Sequence, residues 1–353
     1  MGCCGGGGKL FVFVIELLTG DKITVGSADG LSPNKKAREL LEHVYRHLSI
    51  SSRHSSEREF LGLRYQNPNS EQHSPHHNTA RYNNASRIWT ANQIDWCYID
   101  PNRPISHYCR GQVPMNQLYI AIRYFVADPT RLLDDNTRTQ FYLQLRKDLL
   151  EGILTIANQR DSAELSALIA QIEYGDFDKE WRSHTTENNV AASSPSTNQT
   201  SDQQNKNNSS PDYSSFAIGI NKSRMKPMTP DFDKMIYRAH KDLIGLTVNE
   251  AQMRFLWKCH KLTLYGIRRF PLASDRNLWL GLSPRGLHLF EVHKRPPGKP
   301  VPVTPTGVTE PPEQLDKMAS YPWMSITQID YCDKLFEFHH TASTQLGSTD
   351  TES

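Results

Sequence analysis

The stretch TRTQFYLQLRKDLLEGIL, residues 137–154, decides how the middle of this chain is read. Tyr142, Leu145, Leu149 and Ile153 recur at +3, +7 and +11, so on a helix they share one stripe. Leu143, Leu150 and Leu154 widen that stripe, while Gln144, Lys147, Asp148 and Glu151 fall opposite. The charged tract Arg146-Lys147-Asp148 therefore reads as the wet side of a packed helix, not as a site.

The pattern extends on both sides. DSAELSALIAQIEYG (161–175) is a second helix that Asp161 or Ser162 would cap, with Leu165, Leu168, Ile169 and Ile172 on one face. Residues 183–218 are low in complexity and too polar to offset the entropy of ordering, so they read as a disordered insertion. Helices return at 231–243 and 247–262, where Thr247 and Glu250 have capping-box spacing and Ala251, Phe255 and Cys259 share a face. Toward the N-terminus, Leu10–Leu18 and Lys22–Val25 flank the turn Thr19-Gly20-Asp21 as a hairpin. A helix follows over 32–48, with Pro33 suited to its first turn, and then a strand at EFLGLRY (59–65). A polar insertion at 67–86 precedes a further strand at 117–125. Toward the C-terminus, 278–292 predicts two strands joined at Ser283-Pro284-Arg285-Gly286, Pro296–Pro312 an extended loop, and 323–331 and 334–339 two more strands.

The 353 residues allow two or three domains, and 37% hydrophobic content fits ordinary domains diluted by polar loops. A net charge of +2 makes no global case for nucleic acid, so any anionic partner must be met by local basic clusters. No stretch approaches a membrane span and no signal-peptide pattern opens the sequence. Cysteines 97, 109, 259 and 332 are scattered without a CxxC pair, which reads as free thiols in a reducing, cytosolic setting.

FYLQLRKDLLEG (141–152), LIAQIEYGDFD (168–178), FLGLRY (60–65) and HKLTLYGI (260–267) leading into LWLGLSPRGLHLFE (278–291) together resemble a FERM module, the cloverleaf of the four-point-one, ezrin, radixin and moesin family. The resemblance implies an α+β fold of three lobes. These would be a ubiquitin-like β-grasp lobe at 9–126, an acyl-CoA-binding-protein-like helical bundle at 127–262 and a pleckstrin-homology-like β-lobe at 263–340. A Gly-rich leader (1–8) and a polar tail (341–353) flank them. The third lobe looks incomplete, with roughly four strands and no closing helix. That implies a fragment, a truncated product or a lobe completed by a partner. In the family the 137–154 helix is structural, so Arg146 and Asp148 are expected in surface or inter-lobe pairs.

Of the local signals, MGCC is the sharpest. Gly2 would carry a myristoyl chain after Met removal, and Cys3 and Cys4 a second acyl anchor, although residue 6 is Gly where the motif prefers Ser or Thr. The competing reading is a flexible leader with idle thiols. Lys35, Lys36 and Arg38 in the first lobe, with Arg268, Arg269, Lys294 and Arg295 in the third, are candidate contacts to anionic lipid, against the alternative of ordinary solvated surface. His43 and His47 stand four apart but have no third ligand, so no metal or other cofactor is expected. No hydrolase elbow, kinase signature or tyrosine-phosphatase anion loop occurs, so the chain is not expected to be an enzyme.

The resemblance then implies a cytoplasmic adaptor, peripheral at the inner face of the plasma membrane in the cell cortex. Its expected partners are phosphoinositides, cytoplasmic tails of membrane proteins and cortical actin components, with no nucleic acid. The alternative is the targeting portion of a larger signalling enzyme, such as a non-receptor tyrosine phosphatase.

Overall fold

Burial alternates along the apolar run Val12–Glu16 (β1), and turn chemistry at residues 19–21 returns the chain as Lys22–Gly26 (β2), paired antiparallel from Val12↔Gly26 to Glu16↔Lys22. The computed structural model describes residues 12–66, 96–108, 117–151, 153–156, 158–177, 230–272, 278–294, 313–332 and 335–341. The expected leader, both polar insertions, the Pro-rich segment and the tail beyond Thr341 lie outside these residues.

Helix α1 (Arg38–His47) buries Leu40, Leu41, Val44 and Tyr45. It starts later than expected, and Pro33 stands ahead of it. The loop after Asp100 explains this, because it takes the backbone of 33–38 for itself. Ala37 and Arg38 donate to the carbonyls of Arg103 and Pro101, and Ile105 and Ser106 donate to Lys35 and Pro33. Strands β3 (Leu61–Gln66), β4 (Trp96–Tyr98) and β5 (Gln117–Ile122) complete a sheet of order β2-β1-β5-β3-β4, in which only β1 and β5 run parallel. The three-residue β4 carries too little pattern to be read from sequence and is fixed by pairing with β3.

The helical part begins at α2 (Asp135–Leu150), whose N-cap Asp134 accepts from the Thr137 amide at 2.8 Å. Helix α3 (Gln159–Tyr174) is capped by Asn158 rather than by Asp161 or Ser162. Helix α4 (Pro230–Lys241) packs on α3, and α5 (Val248–His260) packs on both α2 and α3. Thr247 and Glu250 form the expected reciprocal capping box. One continuous apolar core runs from Phe13 in β1 through the helices to Tyr265.

The last part contains more strands than the sequence suggested. Strands β6 (Arg268–Pro271), β7 (Leu278–Ser283), β8 (Gly286–Lys294) and β9 (Glu313–Pro322) form an antiparallel sheet in that order, and β10 (Ile326–Cys332) pairs with β11 (Leu335–His340) as a separate hairpin. Six strands therefore replace the expected four. The two unforeseen ones, β6 and β9, are edge strands with Pro at one end, which weakens their signature. The β7–β8 turn needs Gly286: its φ is +151°, and a Cβ there would stand 2.0 Å from the Tyr321 carbonyl oxygen.

The lobes meet through aromatic rings. Phe141 of α2 is fully buried, edge-on to Phe60 at 5.9 Å and to Phe125 at 5.8 Å, and Phe125 in turn meets Tyr265 at 5.3 Å. Replacing Phe141 with Ala should destabilise the fold by about 3–5 kcal/mol, measured as a lowered midpoint of urea unfolding with m unchanged. A change below about 1 kcal/mol would mean that the lobes are held independently of this contact.

Candidate functional site at the lobe junction

Residues leaving β5 build the junction. Arg123 and Tyr124 both donate their amides to the Phe60 carbonyl, which turns the chain and aims Phe125 between α2 and Tyr265. Tyr265 then donates its hydroxyl to the Val126 carbonyl at 3.1 Å. Gly266 (φ +63°) lies so close that a Cβ would stand 2.7 Å from that of Phe125, so the third lobe enters against the first without room for a larger residue. Buried Glu57 of the first lobe accepts from the amides of Leu133 and Asp134 at 2.9 and 3.2 Å, tying the start of α2 to the same junction.

A cavity of about 130 Å³ remains where the three lobes meet. Arg64, Trp96 and Tyr98 come from the first lobe, Gln144 and Asp148 from α2, and Arg268 from β6. The Arg64 guanidinium stacks 4.3 Å over Trp96 and that of Arg268 stacks 4.2 Å over Tyr98. Nε of Arg64 and Nη2 of Arg268 are buried without a hydrogen-bond partner among the described residues.

The supposedly wet side of α2 is thus partly turned inward. Gln144 is buried; its amide oxygen accepts from the Ile122 amide at 3.4 Å and its nitrogen donates to Asp148 at 2.8 Å. The last amide of β5 needs an acceptor out of water, and a helix residue supplies it. Burial pushes the Asp148 carboxyl up to about 7, against the opposing effects of the Gln144 hydrogen bond and the nearby Arg64 charge. Arg146 keeps the exposed role expected of it, paired with Glu173 of α3 at 2.6 Å, while Glu173 also accepts from Tyr142 at 2.8 Å.

Beside the cavity runs an open groove of about 370 Å³, lined by Arg123, Tyr124, Phe270, Leu282, Pro284 and Trp323 among others, and reaching Arg268. Trp323 is held in place by donating to the Ser283 carbonyl at 2.9 Å.

The cations named from sequence are distributed over separate elements. Lys35 is exposed and paired with Glu39 at 2.8 Å, Lys36 is exposed, and Arg38 donates to Asn102 at 2.7 Å. The loop packed against them adds Arg103, which sequence reading missed because it sits in a turn without period. Arg268 faces the junction. Arg269, its neighbour on β6, is only 5% exposed; burial lowers its guanidinium to about 10, which leaves it charged at neutral pH but enclosed, away from a membrane surface. Lys294 ends β8, and Arg295 lies outside the described residues, as do Gly2, Cys3 and Cys4. Arg64 and Arg123 were legible only as parts of the strands expected at 59–65 and 117–125.

One arrangement has the outline of a nucleophile and base. Ser283 Oγ lies 2.7 Å from His288 Nε2. The other ring nitrogen faces Ser320 Oγ at 2.9 Å, and burial pulls the ring down to about 4. Both groups are enclosed in the sheet and the ring is a poor base at neutral pH, so the trio is structural.

Comparison with known proteins agrees with this architecture. Residues 127–270 match the FERM central domain. The human Band 4.1-like protein 4A is 23% identical over 343 residues, which is 96% of this chain and 38% of that protein. The human tyrosine-protein phosphatase non-receptor type 4 is 26% identical over 260 residues, covering 71% of this chain and 22% of the phosphatase. In structure, the complex of the FERM and C-terminal domains of Drosophila Merlin superposes with a TM-score of 0.59 at 15% identity, over 94% of this chain and 86% of that one. Together with the lobed fold, these matches support a FERM domain protein. It spans well under half the length of the curated relatives it matches.

Asp148 makes the junction sensitive to pH with a definite sign. Its folded value lies above the ordinary carboxyl value of 3.8, so the folded chain binds a proton that the unfolded chain has lost between about pH 4 and 7. This contribution to stability is complete below the ordinary value and disappears as pH rises through about 7. Asp148→Asn should therefore gain on the order of 2 kcal/mol relative to wild type at about pH 8, and that gain should shrink toward about pH 4. Urea unfolding of both proteins across this range is the check; a difference independent of pH would mean that the carboxyl titrates normally.

Proposed function

We propose that the chain is a non-enzymatic adaptor between membrane and cytoskeleton, docking at the inner face of the plasma membrane through phosphoinositides and binding cytoplasmic tails of membrane proteins. The observation that carries this reading is the match to a band 4.1-like protein along 96% of the chain, on a FERM architecture. Three lobes at about 9–126, 127–262 and 263–340 would divide the work. Lys35, Lys36, Arg38 and the adjacent Arg103 offer an exposed basic surface on the first lobe, where each charge contributes about 1 kcal/mol of attraction to an anionic leaflet. No helix among the described residues is long and apolar enough to cross a membrane, so attachment through lipid head groups, with acyl chains at Gly2, Cys3 or Cys4 as a second anchor, is the mode proposed.

A second reading keeps the same module as the targeting portion of a longer signalling enzyme. The resemblance to tyrosine-protein phosphatase non-receptor type 4 over 260 residues favours it. The two readings share the membrane step and differ only in what the module delivers.

Flotation of the full chain from eukaryotic cells on vesicles, with and without phosphatidylinositol bisphosphate, tests that step. Reversing Lys35, Lys36 and Arg38 to Glu should weaken lipid-dependent binding at least about tenfold. Gly2→Ala should remove only the lipid-independent part. Binding untouched by the three reversals would take the membrane contact away from this surface.

A further inference from the structure

Large apolar side chains crowd into water along the hairpin of β10 and β11: Ile329 is 48% exposed, Tyr331 75% and Phe336 39%. The register sorts them onto one face. Ile329 lies opposite Phe338 and Tyr331 opposite Phe336, which makes that face apolar. Gln328 opposite His339 and Asp330 opposite Glu337 make the other face polar. Tyr321 of β9 covers part of the apolar face, 4.9 Å from Phe338 between ring centres.

The edges of the hairpin differ. Among the described residues neither strand has a second neighbour, so both present unpaired backbone groups. A register shift between Ile326 and Gln328 distorts β10, and such a bulge turns an edge away from further pairing. β11 pairs without a break from Leu335 to His339. It is also close to self-complementary. Laid antiparallel to a copy of itself, with Phe338 facing the partner's Phe338 across a two-fold axis, it sets Glu337 opposite the partner's His339. An imidazole can donate to that carboxylate in either protonation state. Within one copy Glu337 faces Asp330, a like charge, so a donor from outside relieves a strained pair. A register centred on Glu337 sets two carboxylates against each other, which excludes it.

We propose that β11 is an interface through which two copies of this chain join their hairpins into one four-stranded sheet of order β10-β11-β11-β10. The pairing gives the open edge its backbone partners and runs the apolar face across both copies. It also takes a two-stranded element past the size at which a sheet holds by itself. A lipid surface fits the hairpin less well, because Asp330 and Glu337 are repelled by an anionic leaflet. The pair carries two first-lobe basic surfaces, so membrane attachment of one copy holds the second close, and avidity exceeds the affinity of either alone. That consequence rests on the membrane reading; the pairing does not.

Sedimentation velocity of the full chain over about 1–100 μM is the test. The expected result is a concentration-dependent step from one copy to two. Glu337→Lys sets a cation against the partner's His339, and His339→Glu sets a carboxylate against the partner's Glu337. Each should weaken pairing about tenfold. Mixing the two variants should restore it, because every altered position then meets an opposite charge. Both side chains are more than half exposed, at 58% and 56%, so the substitutions leave the fold intact, and melting curves check that. A chain that stays single at every concentration would overturn the proposal. So would variants that pair as the wild type does, or a mixture that fails to recover. Growth beyond two copies would mean contact between unlike edges and would overturn the closed pair.

Discussion

Phe125 is the residue on which the arrangement of lobes depends. It leaves the last strand of the first lobe, stacks edge-on against Phe141 of the central helix and meets Tyr265 at the entrance to the third lobe. Edge-to-face ring pairs favour particular angles as well as burial, so these contacts constrain orientation where a contact between aliphatic residues would only constrain distance. Gly266 sets how near the third lobe comes, because a side chain there would collide with Phe125. The cavity and the groove are both consequences of these rings: flat faces meeting from three directions leave gaps beside them, and arginines stacked on Trp96, Tyr98 and Tyr124 line those gaps.

Polar groups complete the junction and make it specific. Glu57, Gln144 and the hydroxyl of Tyr265 each satisfy backbone groups of a different lobe. An apolar interface would tolerate sliding, whereas these bonds exist in one register only, and leaving them unmade costs about 1–3 kcal/mol each. Asp148 is the exception, a carboxyl whose charge the site opposes. Its position near Arg64 shows that a nearby cation does not fully offset the loss of water.

How much of this was legible in the sequence follows from the scale of each signal. Long helices announced themselves, because several turns of repeated apolar residues outweigh local noise, and the capping box at Thr247 and Glu250 is local chemistry that no distant contact revises. The inward turn of Gln144 and Asp148 was not legible, since period alone places them opposite Leu145 and Leu149, and only the end of β5 gives them a partner. Asn158, which the sequence reading did not offer, displaced the expected caps because the helix starts one turn earlier than its apolar face announces. For the site, Arg268 could be named but not its neighbour's burial, and Arg123 was legible only as part of a strand, because its role comes from a chain reversal anchored at Phe60. Residues whose partners lie within four positions were readable; those whose partners lie in another lobe were not.

The hairpin of β10 and β11 carries a different consequence. Among the described residues it shares no backbone ladder with the four-stranded sheet, touches it through Tyr321 against Phe338 and His340, and leaves Tyr331 and Leu335 in water. Two strands on their own are barely stable, so this element opens locally far more often than the core unfolds. Backbone released by such opening is where proteolytic nicking begins, so a partner that clasped the hairpin would slow that step without altering the core.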